Sequence, residues 1–260
     1  MTPTKTHYPS GQLECEGFIN GEVQVGNWTF YHENGKVFSK GQYDNNGNPI
    51  GVWTEYFDNG QIKYEAISSQ GNWFSLNSDN LEIINYWTEE GIPLIVDGNG
   101  KLITYFDNGN IQHISYWTRK LKNGTLQEFY ENGQLNIERN YKDGIKEGFG
   151  KVFYSNGNLH SDHCYQNGKD IGQYKEWYEN GQLSEAGEFV NDEYFLINFW
   201  TEEGEQILKD GTGKAIRKYG ATGGDIYEQH FDKGKMTTEK KIAGVTYGQF
   251  IPNTNEKNGL

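Results

Sequence analysis

Cysteine is almost absent: Cys15 and Cys164 stand alone and far apart in 260 residues. That excludes a disulfide framework and suits a reducing compartment. Long apolar runs are missing as well, so no stretch reaches the length of a membrane span. The first residues, Met1 to Tyr8, hold no apolar segment of the signal-peptide kind, and the expectation is a cytoplasmic protein. Hydrophobic residues are only 34% of the chain, and Leu and Ala are scarce beside 15% aromatics and 34 glycines. Such a chain suits pleated strands and tight turns rather than helices. Positive charge is in deficit, with 23 Lys and Arg against 36 Asp and Glu, a formal net of -13. The deficit disfavours nucleic acid and anionic membranes, favours basic partners, and keeps an aromatic-rich surface soluble.

What the chain does have is a period. Asn34-Gly35, Asn59-Gly60, Asn108-Gly109, Asn132-Gly133, Asn156-Gly157 and Asn180-Gly181 are spaced by 25, 49, 24, 24 and 24 residues. The step of 49 holds one degenerate copy between two regular ones. Each pair follows two ring-bearing residues and precedes a polar residue and an aliphatic one. A period of this length marks a repeat architecture, in which each unit buries its face against its neighbours. Asn-Gly between strand-like runs predicts a type I′ hairpin with positive φ at both residues. That turn sets Phe57 opposite Ile62, and likewise His32–Val37, Phe106–Ile111, Tyr130–Leu135, Tyr154–Leu159 and Tyr178–Leu183. The preceding aromatics Tyr31, Tyr56, Tyr105, Phe129, Phe153 and Trp177 alternate to the other face. A second turn, at Asn46-Gly47, Asp143-Gly144 and Asn167-Gly168, joins consecutive hairpins, with Gly51, Gly148 and Gly172 opening the next strand.

A longer repeat overlies the short one. Ile84-Asn-Tyr-Trp-Thr-Glu-Glu-Gly91 matches Ile197-Asn-Phe-Trp-Thr-Glu-Glu-Gly204 at an offset of 113, and Asp97-Gly98 matches Asp210-Gly211. The blocks read either as hairpins with Glu-Gly in place of Asn-Gly and a buried Trp, or as contact patches of acid beside aromatic. An insertion occupies residues near 66–80, and a further hairpin falls around Gly223-Gly224. The whole is one array over 1–260, with related super-units at about 8–120 and 121–247 and a loose polar tail at 248–260.

No residue set carries catalysis. His160, His163 and Cys164 lack the second ligand pair of a zinc site. Gly211-Thr-Gly-Lys214 lacks the spacing of a phosphate loop, with Ala215 at the Ser/Thr place. Glu89, Glu90, Glu202 and Glu203 are adjacent pairs, which on a strand point to opposite faces instead of spanning a cleft. The expectation is a protein that is not an enzyme and needs no cofactor or metal.

The unit Gly-x-Trp-x-x-Tyr-Phe-x-Asn-Gly-x-Ile, carried by Gly51, Trp53, Tyr56, Phe57, Asn59, Gly60 and Ile62, resembles the MORN-repeat superfamily. Gly172, Trp177, Tyr178, Asn180, Gly181 and Leu183 carry it again, and the bacterial variant in the YwqK-family antitoxins is the nearer likeness. The resemblance covers most of residues 8–235. It implies an all-β, elongated, single-layer antiparallel β-meander of hairpin repeats, and neutralisation of a co-encoded toxin. On that footing the chain is expected to bind a protein partner, a basic toxin encoded nearby. Neither nucleic acid nor a membrane is expected as partner. The alternative is a MORN-type structural scaffold or membrane-associated adaptor. The irregular parts are the expected contact residues: Trp73, Phe74, Trp87, Glu89, Glu90, Trp117, Trp200, Glu202 and Glu203.

Overall fold

A computed structural model describes residues 1–68, 81–219, 225–246 and 249–252. Of the insertion expected near 66–80, residues 66–68 belong to the strand Ile62–Ser68 and 69–80 lie outside the described residues, as do the hairpin around Gly223-Gly224 and most of the tail. The fold is all-β, with no helix among the described residues. Two compact units form: Met1–Gly133 with Asn140–Lys146, and Gln134–Arg139 with Glu147–Leu260. Each is an antiparallel meander in which a strand pairs with its neighbours along the chain. Ile111–Thr118 departs from this, pairing with Gly124–Phe129 beyond the short strand Leu121–Lys122.

The recurrent Asn-Gly turn is not type I′. Gly60 has φ 87°, but Asn59 and its equivalents are not among the residues with positive φ. The Phe57 N–H donates to Gln61 O and the Gly60 N–H to Phe57 O, both at 2.9 Å. This is a type I turn closed by a left-handed glycine, with one extra residue in the loop. The register therefore moves by one from expectation: Tyr56, not Phe57, stands opposite Ile62. Tyr31–Val37, Tyr105–Ile111, Phe153–Leu159 and Trp177–Leu183 follow the same rule.

The reason lies in the asparagine side chain. Asn59 Oδ1 accepts the Gln61 N–H at 2.7 Å, and its Nδ2 donates to the main-chain carbonyl of Glu89, in the following turn, at 3.2 Å. Asn34 donates to Asp58 O at 2.8 Å, Asn108 to Glu131 O at 2.9 Å, Asn156 to Glu179 O at 3.0 Å and Asn180 to Glu202 O at 3.2 Å. These five asparagines form a ladder in which each ties its own turn to the next. A second ladder runs beside it, with Tyr154 Oη donating to Trp177 O and Tyr178 Oη to Trp200 O, both at 2.7 Å. Asn156→Asp removes one rung and sets a carboxylate against a carbonyl. It is expected to lower stability by about 1–2 kcal/mol. Asn46→Asp, in a turn outside the ladder, should stay within about 0.5 kcal/mol in the same urea titration.

Type I′ turns occur at the opposite ends of the strands. Asp143 and Asn167 have φ 48° and 50°, each followed by a left-handed glycine. Arg119-Lys120 and Asn191-Asp192 adopt positive φ without any glycine, an unfavourable choice that the two-residue loop between twisted strands imposes. The glycines read as opening the next strand, Gly51 and Gly172, have φ 67° and 64° inside strands. They sit where the pairing register slips, so they are bulge glycines. Two residues beyond Gly26, at φ 70°, and Gly51, Trp28 and Trp53 turn onto a glycine of the preceding strand. A Cβ on Gly17 would lie 2.3 Å from the Trp28 ring, and one on Gly41 would lie 2.1 Å from the Trp53 ring. The Gly-x-Trp spacing is thus a bulge followed by a ring seated on bare backbone.

The offset of 113 is written into the cores. In the first unit Ile83, Tyr86, Ile95 and Leu102 are buried together. Their counterparts Leu196, Phe199, Leu208 and Ala215 form the corresponding cluster of the second. In each block a turn folds back on the strand: Ile83 N–H donates to Lys120 O at 3.1 Å, and Leu196 N–H to Gly234 O at 3.0 Å.

Candidate interaction surface

The residue before each ladder asparagine is nearly always acidic. Glu33, Asp58, Glu89, Asp107 and Glu131 in the first unit, and Glu179 and Glu202 in the second, are all exposed. Asp58, Glu89, Glu131, Glu179 and Glu202 supply the carbonyls that receive the rungs. Their backbones are pinned while their carboxylates stay in water. Where neighbouring turns are separated by one hairpin, the carboxylates recur at roughly 10 Å, twice the strand spacing. The field of the row reaches inward: burial, then Glu202, Glu185 and Glu203, push the Tyr178 phenol up to about 12.

The Glu-Gly blocks are hairpins of this same type. Gly91 N–H donates to Thr88 O and Gly204 N–H to Thr201 O, both at 2.9 Å. Glu90 and Glu203 stand where the ladder has asparagine. An ionised carboxylate has no proton to donate, so a rung leaving these positions lacks its donor. The Glu90 carboxyl is held below the ordinary value, first by the Thr88 hydroxyl and then by a backbone amide.

The aromatic candidates separate. Trp73 and Phe74 lie outside the described residues. Trp87 and Trp200 are half-buried, opposite Pro93 and Gln206 in equivalent hairpins. Trp117 is only 2% exposed, and its indole N–H donates to Ser115 Oγ at 2.8 Å. It is a core residue and is withdrawn from the contact set. Its neighbour Tyr116, 43% exposed, faces outward with Tyr105 at 59%. Strand alternation could have found Tyr116, since a buried ring at one position turns the next residue to solvent.

His113 shares the buried face with Trp117. Its Nε2 lies 2.8 Å from Ser115 Oγ, and burial followed by the Lys122 charge lowers its pKa to about 4. The unfolded chain takes up a proton near pH 6.5 that the folded imidazole refuses until about 4. Stability present above 6.5 should therefore fall by roughly 3 kcal/mol as the pH drops through that interval. His113→Gln should remove this slope from the pH dependence of the urea midpoint.

His160 and His163 do not converge on one point. His160 Nε2 lies 3.2 Å from Glu176 Oε1, and His163 Nδ1 lies 2.8 Å from Asp170 Oδ1. Among the described residues no group of three or more His, Cys, Asp or Glu side chains could hold a metal ion. Nor is any helix among them long and apolar enough to cross a membrane.

No curated protein matches the chain. Two solved structures, described as "Crystal Structure of TcdB2-TccC3-Cdc42" and "Crystal Structure of TcdB2-TccC3", align over 96% of this chain at 10% identity and a TM-score of 0.14. The chain spans 17% and 18% of those much longer chains, and a likeness this slight carries no argument. The family profile described as "MORN repeat variant" matches residues 24–45, 49–68, 122–143, 146–167 and 171–191. Those stretches run from hairpin to hairpin through the bulge glycines and the asparagine ladder. Five stretches of the chain thus match the MORN repeat variant, which suggests a repeat scaffold or a binding role.

Proposed function

We propose that this protein is a cytoplasmic antitoxin or immunity protein: it neutralises a basic protein toxin, encoded nearby, by covering the toxin's working surface rather than by turnover. The observation that carries this reading is the acidic row. In each unit carboxylates recur before the turn asparagines, with half-buried Trp87 and exposed Tyr105 in the first unit and half-buried Trp200 in the second. Fixed charge of one sign steers a partner of the other sign and sets its register, while aromatic anchors supply the apolar contact. The net charge of -13 acts in the same direction at long range.

The test is co-expression with the product of the neighbouring gene, followed by pull-down and a growth assay. The expected result is a toxic neighbour that is harmless and bound in the presence of this protein. The triple variant Glu33→Lys, Asp58→Lys, Glu131→Lys should then slow association on the order of 10-fold or more at low salt and flatten its salt dependence. A complex indifferent to salt and to these substitutions would sink the electrostatic mechanism.

A further inference from the structure

We propose that, among the described residues, Asn20 and Asn167 are the sites at which this protein deamidates spontaneously, and that the turn ladder shields its other regular Asn-Gly pairs from the same reaction. In this chemistry the backbone nitrogen of the glycine, stripped of its proton by solvent base, attacks Cγ of the asparagine. A C–N bond closes a five-membered imide, and the carboxamide nitrogen takes a proton and leaves as ammonia. Water then opens the ring at either carbonyl, giving aspartate or isoaspartate. The sum is amide plus water to acid plus ammonia, and no other reactant is needed. Glycine permits it best because no Cβ obstructs the attack.

Three locks oppose the reaction in a ladder turn. At Asn34, Oδ1 accepts the Lys36 N–H at 2.9 Å, Nδ2 donates to Asp58 O at 2.8 Å, and the Gly35 N–H donates to His32 O at 2.9 Å. Asn156 is held likewise, by the Asn158 N–H at 2.9 Å, by Glu179 O at 3.0 Å, and with Gly157 N–H on Tyr154 O at 2.9 Å. The first two bonds hold the carboxamide and the third holds the glycine nitrogen, so the attack waits until all three open. Outside the ladder, Asn46-Gly47 keeps one lock, the Gly47 N–H on Asp44 O, and Asn123 keeps another, its amide on Asp143 Oδ1 at 3.3 Å.

Asn20 and Asn167 are exposed, and among the described residues neither carboxamide has a hydrogen bond and neither following glycine N–H has an acceptor. Asn167-Gly168 is the two-residue loop between Gln166 and Lys169, and Asn20 ends its strand, with Gly21 opening the two-residue loop that closes at Val23. At Asn167 the product would not be silent. Its N–H already rests on Glu147 Oε2 at 2.8 Å, so a new carboxylate arises beside an existing one. The isoaspartate form also lengthens the backbone of a loop that has room for two residues.

The intact protein, aged in warm, mildly alkaline buffer, is digested in acid and each Asn-Gly peptide is scored for conversion by mass spectrometry. A parallel sample is aged in urea. Asn20 and Asn167 should convert on the order of 10–100-fold faster than Asn34 and Asn156 in the folded protein, three hydrogen bonds compounding at a few-fold each. The difference should vanish in urea. Equal rates in the folded protein, or a spread that survives in urea, would overturn the assignment.

Discussion

Trp53→Ala is expected to lower the unfolding free energy by about 3–5 kcal/mol, a large share of the total for a domain. The indole is 2% exposed and fills the space above Gly41, with Tyr43 edge-on at 5.0 Å and Phe30 at 6.3 Å. Truncation removes the transfer energy of the largest side chain and leaves a void that bare backbone cannot fill. The rings around it belong to neighbouring strands and are tied by ladder hydrogen bonds, so collapse into the void is limited. The complementary change, Gly41→Ala, fails for the opposite reason: its Cβ would lie 2.1 Å from the ring, and overpacking of this kind costs about 1–3 kcal/mol or more. Val52→Ala, one residue away but 47% exposed, should fall within about 0.5 kcal/mol. Urea midpoints for the three variants test the set. A Trp53→Ala protein as stable as the parent would mean that the ring is not seated on Gly41.

The second large effect is expected for Arg217→Met, about 3 kcal/mol at neutral pH. Arg217 Nη2 lies 2.7 Å from Glu185 Oε2, and Tyr194 Oη donates to Glu185 Oε1 at 2.7 Å. Glu185 is only 3% exposed, and burial already raises its pKa against the opposing pull of Arg217. Removing the guanidinium leaves a buried carboxylate without its cation, so that pKa rises further. Because the folded form then holds a proton that the unfolded form has released, stability falls as pH rises from the ordinary glutamate value through the raised one. The deficit of the variant should shrink in acid, where Glu185 is neutral, and reach its full size at neutral pH. A deficit independent of pH would assign the effect to lost packing of Arg217 over the Phe199 ring, 5.8 Å away.

The period, the strand–turn–strand unit and the 113-residue echo were legible because they are patterns of side-chain type. The turn geometry was not. Asn-Gly satisfies both a type I′ loop and a type I turn closed by glycine, and what decides between them is a carbonyl one repeat away. A main-chain acceptor has no residue signature, so neither the asparagine ladder nor the tyrosine ladder shows in the sequence. The contact residues divide in the same way. The acids at Glu89, Glu90, Glu202 and Glu203 are exposed, as turn residues are. Trp117 misled because it stands in an irregular part of the chain, whereas its strand sets His113, Ser115 and Trp117 on one packed face. All three are buried, at 4%, 1% and 2% exposure: Ser115 Oγ accepts the Trp117 N–H and meets His113 Nε2, while His113 Nδ1 is left without a hydrogen-bond partner.

The direction of the asparagine rungs has a consequence for how such a chain can lengthen. Every rung points from an earlier repeat to a later one and ends on a carbonyl, which any residue possesses. A duplicated segment of 24 residues therefore joins its predecessor without matching mutations, whatever the side chain at the junction. The ladder breaks where the donor is lost, at Glu90 and Glu203, yet the sheet runs on past both, with Val96 paired to Asn99 and Lys209 to Thr212. The rungs therefore reinforce an order of repeats that the strand hydrogen bonds already carry.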